Sequence, residues 1–462
     1  MSSRKTKIAI LAATTAFWPT FASSQQGGAG ASGGMQMDIG VNTSVRSDSN
    51  FALDPVSTGT SYVSDTKLSF GLTSVTSGLD FSLLGTSTLR YADIPGRTIR
   101  GLEDPTLRLR LVADSANSRL TLTGRYRNVD REFLDPFQVE KEQQQTGTLL
   151  ANGGTLEEEN AALKYELGLT APVGAVLDLA HDARNYTNVT TAQLFDNRTD
   201  SAKATALFRV SPVTTVSLSA GMTRYSANDI PQTDRETTDY ALGLTQEINP
   251  TLTLDTSLGF TEVKTTDLTG ITSNSGLVGA MSLVKTLQNG TVFGDLATTR
   301  NQNGRRVTLT FGRDIQMPTA TLSAKLGYTD GDSGRGAVVG SLAYSQQLST
   351  DKVDISISRN ASTNGLDQDI VDSRISAAYT HVINNLSQLG LSFDWGQTKD
   401  TGATGAPTIE SSNLTATYSR DLTADWTMTG GLTLRRYSET GFGKANSTAL
   451  FLSLGRNFSY RP

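Results

Sequence analysis

Met35-Gln36-Met37-Asp38-Ile39-Gly40-Val41-Asn42-Thr43-Ser44-Val45-Arg46 sorts its side chains by parity. Met35, Met37, Ile39, Val41 and Val45 share one face; Gln36, Asp38, Asn42, Ser44 and Arg46 share the other. Successive side chains of a strand point to opposite faces, so this alternation predicts a strand lying between an apolar and a polar medium. The pattern recurs. Leu107, Leu109 and Leu111 alternate with Arg108 and Arg110, Leu120 and Leu122 with Arg119, Thr121 and Thr123, and Leu389, Leu391, Phe393 and Trp395 with Gln388, Ser392 and Asp394. No amphipathic helix competes with it after residue 35.

The connections support the same reading. Tight turn chemistry falls at Thr76-Ser77-Gly78, Pro172-Val173-Gly174, Pro212-Val213-Thr214, Asn249-Pro250-Thr251, Gln288-Asn289-Gly290, Asn384-Asn385 and Thr423-Ala424-Asp425. Longer polar connections are expected between them, among them Ala92–Asp104, Asn128–Thr155, Thr187–Asp200, Ala227–Glu236 and Thr265–Asn274. About ten short turns imply about 22 strands, within two either way. Aromatics are expected in two bands: Tyr91, Tyr126, Tyr186, Tyr225, Phe260, Tyr328, Trp395 and Tyr437 at one end, and Phe208, Tyr344, Tyr379, Tyr418, Phe458 and Tyr460 at the other. The expected fold is all-β, a transmembrane antiparallel up-and-down β-barrel.

Composition agrees. As a soluble protein, 462 residues would suggest two to three domains, yet only 37% are hydrophobic and 18% charged. A barrel with lipid outside and water inside predicts that mixture. A net charge of -5 leaves no electrostatic footprint for nucleic acid. No cysteine is present, and the two histidines, His181 and His381, show no spacing to a serine that suggests a catalytic triad. No catalytic residue, metal or cofactor is expected. Arg4, Lys5 and Lys7, an apolar run from Ile8 to Phe17 and the small residues Ala22-Ser23-Ser24 form the layout of a secretory signal peptide over 1–24. A flexible lead-in follows at 25–34, and the barrel is expected over 35–460.

The chain closes with Ser453, Gly455, Phe458 and Tyr460 in the spacing of an assembly signal, followed by Arg461 and Pro462. Together with the strand ladder, this resembles the Gram-negative outer-membrane β-barrel, porin-like superfamily. The terminal Arg461-Pro462 departs from the usual final aromatic. The resemblance implies the bacterial outer membrane, contact with lipid and lipopolysaccharide, and recognition by the barrel-assembly machinery. The even ladder of hairpins also looks like outer-membrane barrels associated with exopolysaccharide export, which would imply periplasmic export partners.

Parity predicts the lumen. Arg90, Arg108, Arg110, Arg119, Arg125 and Arg127 are expected inside, as a basic sector lining a pore. Asp80, Asp178, Asp239, Asp255, Asp354 and Asp394 are also expected inside, with Lys164, Lys203 and Lys325. Such charges either impose a field on passing solutes or hydrate the wall and pair with each other. The longest connection carries Asp130, Glu132, Asp135, Glu140 and Glu142 and is a candidate constriction loop. Barrels of about 22 strands are usually plugged. The lead-in is too short for a plug, so either the chain's own side chains and loops or a partner fill the interior, or the barrel has fewer strands than counted. The leading expectation is a channel passing small polar or charged solutes by diffusion. The alternatives are the outer-membrane component of an exopolysaccharide export system and a structural or surface-interaction barrel without an open pore.

Overall fold

The computed structural model describes residues 34–134, 154–189, 194–332, 336–363, 369–400, 408–441 and 443–461. The predicted signal peptide and nearly all of the lead-in lie outside the described residues. The strands are β1 (Gly34–Asp48), β2 (Ser61–Val75), β3 (Leu79–Ile94), β4 (Arg97–Asp114), β5 (Ser118–Asp130), β6 (Thr155–Leu167), β7 (Val173–Thr187) and β8 (Asn197–Ser211). There follow β9 (Thr214–Ala227), β10 (Asp234–Asn249), β11 (Leu252–Asp267), β12 (Gly270–Leu287), β13 (Gly290–Asn301), β14 (Gly304–Gln316) and β15 (Ala320–Gly331). The last are β16 (Ala337–Gln347), β17 (Asp351–Thr363), β18 (Asp369–Asn384), β19 (Ser387–Asp400), β20 (Ile409–Asp421), β21 (Trp426–Glu439) and β22 (Gly443–Tyr460).

Each strand pairs antiparallel with the next, and β1 pairs with β22 from Met37 opposite Tyr460 to Asp48 opposite Ala449. The sheet therefore closes into a 22-stranded barrel, as the count of turns indicated. Gly34 and Tyr460 share the lower rim. Residues directly opposite in the ladder point the same way, so register carries one strand's parity around the wall. The face with Leu68, Leu107, Leu218, Leu258, Phe311 and Leu326 points outward; Leu218 is 56% exposed, Phe311 62% and Leu326 66%. Water would not tolerate so continuous an apolar band. Strands of 11 to 18 residues exceed the roughly 9–11 that a tilted strand needs to cross hydrocarbon.

Buried apolar side chains cluster near the upper rim. One cluster holds Phe51, Val63, Ala92 and Ile94, with Ile99 and Phe133 against it; another holds Val129, Leu134, Leu156, Tyr186 and Leu194.

Several connections expected to be long are strand. Ala92–Asp104 and Thr265–Asn274 are crossed by β3–β4 and β11–β12, which turn over at Pro95-Gly96 and Leu268-Thr269. Gly96 takes the left-handed conformation there, with φ +90°. Above the lipid both faces meet water, so the apolar alternation stops while the hydrogen-bonded ladder continues. The hairpin β11–β12 outgrows its neighbour: β12 pairs with β13 only up to Gly279 opposite Thr298. A second irregularity is a bulge across Thr86–Thr88 and Glu103–Thr106, with Asp104 at φ +51°. It shifts parity, so Leu102 and Leu107 both face out. The upper aromatic band is thinner than expected. Tyr91, Tyr126, Phe260, Tyr328 and Trp395 face outward, whereas Tyr186, Tyr225 and Tyr437 point inward, opposite Leu156, Arg235 and Ala445. Their strands reach past the lipid, where no interface selects the side.

Facing sets the cost of a charge. Leu218→Arg, on the outer face, is expected to destabilise the barrel in vesicles by roughly 2–4 kcal/mol, and Ser219→Arg, one residue on and inward, by far less. Urea titration of both variants in lipid checks this; equal costs would reject the assigned facing.

Candidate conduit through the barrel

Arg108 lies directly opposite Arg125, Thr106 opposite Arg127, Arg110 opposite Thr123 and Asp114 opposite Arg119. Arg90 joins the same inner face opposite Asp65. The six arginines form a column. Arg119 stands at the lower rim, Arg110 and the Arg108–Arg125 pair at middle height, Arg127 above them and Arg90 near the mouth. Arg119 to Arg127 alone covers about 27 Å of strand. Most of the column is partly neutralised. Arg90 forks onto Asp65 at 2.8 and 3.0 Å, Arg127 Nε donates to Asp104 at 3.0 Å, Arg125 reaches Glu158 at 3.4 Å, and Arg119 pairs with Asp114. Arg110 is exposed to the lumen and has no ion pair among the described residues.

Asp80, Asp178, Asp239, Asp255, Asp354 and Asp394 occupy inward positions in the same register, as do Lys164, Lys203 and Lys325. Hydroxyls of adjoining strands hold many of these carboxylates. Thr245 donates to Asp255 at 2.6 Å, Ser345 to Asp354 at 2.7 Å, Ser376 to Asp394 at 2.8 Å, and Thr261 to Asp239. Asp295 and Asp314, which the sequence reading did not single out, follow the same rule with Ser282 and Ser323, each at 2.6 Å. A hydroxyl satisfies a carboxylate without cancelling its charge. Lys325 comes only to 3.9 Å from Asp295 and Lys164 to 3.8 Å from Glu166, whereas Lys352 pairs with Asp354 at 2.9 Å and Arg374 with Asp372 at 3.1 Å. The lumen is thus basic along β3–β5 and acidic at Asp239, Asp255, Asp314 and Asp394 across β10–β19.

Two connections of the chain fold inward at the upper rim. A short 3-10 helix, Arg131–Phe133, starts where Asp130 accepts from the Glu132 amide at 3.0 Å. It places the Phe133 ring 3.5 Å from the Arg90 guanidinium and 5.1 Å from the Phe51 ring. Phe51 comes from the connection after β1 and is flanked by Arg46 and Arg435 at 5.6 and 5.8 Å. Asp48 is fully buried and anchors this side. It takes Arg435 at 2.6 Å, Arg46, Ser447 and the Asn50 amide at 3.0 Å. Two inward-folded connections therefore meet ring to ring over the inner wall. Sequence reasoning missed Phe51 and Phe133, because nothing local distinguishes a loop phenylalanine that folds in.

Of the candidate constriction residues, Asp130 and Glu132 engage Arg97, Asp130 at 3.6 Å. Asp135, Glu140 and Glu142 lie outside the described residues. Burial raises the Glu132 carboxyl above the ordinary glutamate range, with Asp130 and Asp54 adding to the shift and Arg97 opposing it. The docked helix therefore favours the protonated acid. Its docking is strongest below the ordinary glutamate pKa and weakens as pH rises through the elevated one.

The residues expected to form an assembly signal lie on the closing seam. Ser453 and Gly455 face inward opposite Ser44 and Asn42, and Phe458 and Tyr460 face outward at the lower rim opposite Ile39 and Met37. His181 and His381 sit on the outer face, with Nδ1 at 2.7 Å from Asp200 and 2.8 Å from Asp351.

No family model matches the chain, and no curated protein matches it. Solved structures do. The FrpB iron transporter from Neisseria meningitidis is 10% identical, with 92% of this chain and 82% of that one covered at a TM-score of 0.56. A mutant of the ferric enterobactin receptor of Pseudomonas aeruginosa is 10% identical, covering 92% and 81% with a TM-score of 0.55. The siderophore receptor PirA from the same organism is 10% identical, covering 92% and 80% with a TM-score of 0.52. These likenesses are of fold. They match the closed barrel, whose outward apolar band suits a lipid bilayer; they do not support the porin-like or the exopolysaccharide resemblance.

Opening the mouth tests the lid. Arg97→Ala with Phe133→Ala is expected to raise single-channel conductance in planar bilayers. Conductance of the unaltered chain should rise as pH climbs through the elevated Glu132 pKa, and Glu132→Gln should flatten that rise. Unchanged conductance in the double variant would remove the lid from the permeation path.

Proposed function

We propose that the chain is an outer-membrane conduit for small polar and charged solutes, with a preference for anions. The observation that carries this reading is the arginine column running from the mouth to the lower rim, opposed by carboxylates that hydroxyls leave charged. Opposite walls of opposite sign impose a transverse field on the lumen, and rows of side-chain charge set selectivity in pores. Among the described residues, no group on the inner wall calls for an enzymatic reading. The partners on this reading are lipid and lipopolysaccharide around the outward band and the barrel-assembly machinery at the last strand.

A second reading is favoured by size. The structurally similar chains are described as an iron transporter and as receptors for ferric enterobactin and siderophores. A barrel on that scale suits captured uptake of a larger solute, with a partner filling the lumen. Diffusion gives a flux linear in solute concentration, and capture gives one that saturates.

Reconstitution decides. The purified chain in planar bilayers is expected to give stepwise conductance with anions more permeant than cations. Arg108→Glu with Arg125→Glu should lower the anion-to-cation ratio roughly fivefold, the scale of about 1 kcal/mol. No conductance, together with no swelling of solute-loaded liposomes, would leave a structural barrel without an open pore.

A further inference from the structure

Midway down the arginine column the inner wall opens into a cavity of about 480 Å³, within the range of small-ligand pockets. Arg108, Arg110 and Arg125 line it with Thr123, Asn160 and Asp182. It exists because Ala162 and Ala180 stand where longer side chains would fill the space.

Three features point the same way. Arg108 and Arg125 face each other directly across the ladder, which sets two guanidiniums side by side in the cavity wall. The carboxylate nearest Arg125, Glu158, is shared: Arg125 reaches it at 3.4 Å and Arg184 at 3.5 Å. Arg125 Nε is also shut away from solvent with no hydrogen bond. Arg110, two residues below Arg108 on the same face, opens onto the lumen with no ion pair among the described residues. Asp182, the one acid in the cavity wall, is held by the Asn160 amide at 2.6 Å.

We propose that this cavity is a binding subsite for a multivalent oxyanion, a phosphate or a pair of carboxylates carried on a small solute. Planar guanidinium forks match the oxygens of both groups, and Arg110 brings to the cavity a guanidinium with no ion pair among the described residues. Thr123 and the Asn160 amide supply neutral contacts beside the charge. The cavity is larger than a bare phosphate, which leaves room for the organic part of the solute. This deepens the conduit reading, on which it rests: the column holds its solute at one level before releasing it downward.

The test is titration calorimetry on the intact barrel in nanodiscs, with inorganic phosphate and citrate as separate probes against a constant chloride background. Saturable heat from either is expected, and which one gives it separates phosphate from polycarboxylate chemistry. Arg110→Gln should weaken binding about tenfold, and Arg110→Lys, which keeps the charge and loses the fork, should weaken it less. Arg198→Gln, on the outer face, should leave it unchanged. Each variant must first show the heat-modifiable migration of a folded barrel. No saturable heat from either probe would overturn the proposal, as would full affinity in Arg110→Gln. A barrel that conducts but binds neither probe loses the subsite and keeps the conduit; one that binds without conducting loses the conduit and keeps the subsite.

Discussion

Hydrocarbon offers backbone amides no partners, so every N–H and C=O in the spanning region must find one within the sheet. For an antiparallel sheet the only complete answer is closure, and here β1 meets β22 over the full height of the wall. The outward apolar band and the inward polar wall follow from it, because closure gives each strand one dry side and one wet side. The position of the buried core follows too. A barrel wall one strand thick has no room for a core, so among the described residues the tight apolar clusters form where connections fold back inside the mouth.

Inside, two ways of satisfying charge coexist. Along β3–β5 guanidiniums meet carboxylates supplied by neighbouring strands, as with Arg90 and Asp65 or Arg127 and Asp104. Across β10–β19 aspartates are met largely by serine and threonine hydroxyls. The first way reduces the local field and the second preserves it. A lumen built from both keeps a directional field, though guanidinium nitrogens such as Arg90 Nη1 and Arg125 Nε stay buried without a hydrogen bond.

Much of the architecture was legible because the medium writes itself into the strand at period two. Met35–Arg46 showed which side met lipid, and the same parity placed all six arginines on one face. Where the medium stops alternating, the signal stops. That is why Ala92–Asp104 reads as a loop and why Tyr186, Tyr225 and Tyr437, though at the expected end, point inward and leave the band thin. The Asp104 bulge shifts facing by one residue, and no periodicity announces such a shift in advance. Phe51, Phe133 and the buried Asp48 owe their roles to contacts with residues remote in the chain, which a single sequence does not pair.

Asp48 belongs to the first hairpin, but the groups that make its burial tolerable come from the last. Arg435 lies 387 residues away in sequence, and Ser447 farther still. Until β21 and β22 arrive, that carboxylate has only Arg46 and its own turn for company, and Phe51 lacks one of its two flanking guanidiniums. The finished entrance therefore needs the last hairpin as much as the wall does: without β21 and β22, Asp48 would lose Arg435 and Ser447 together.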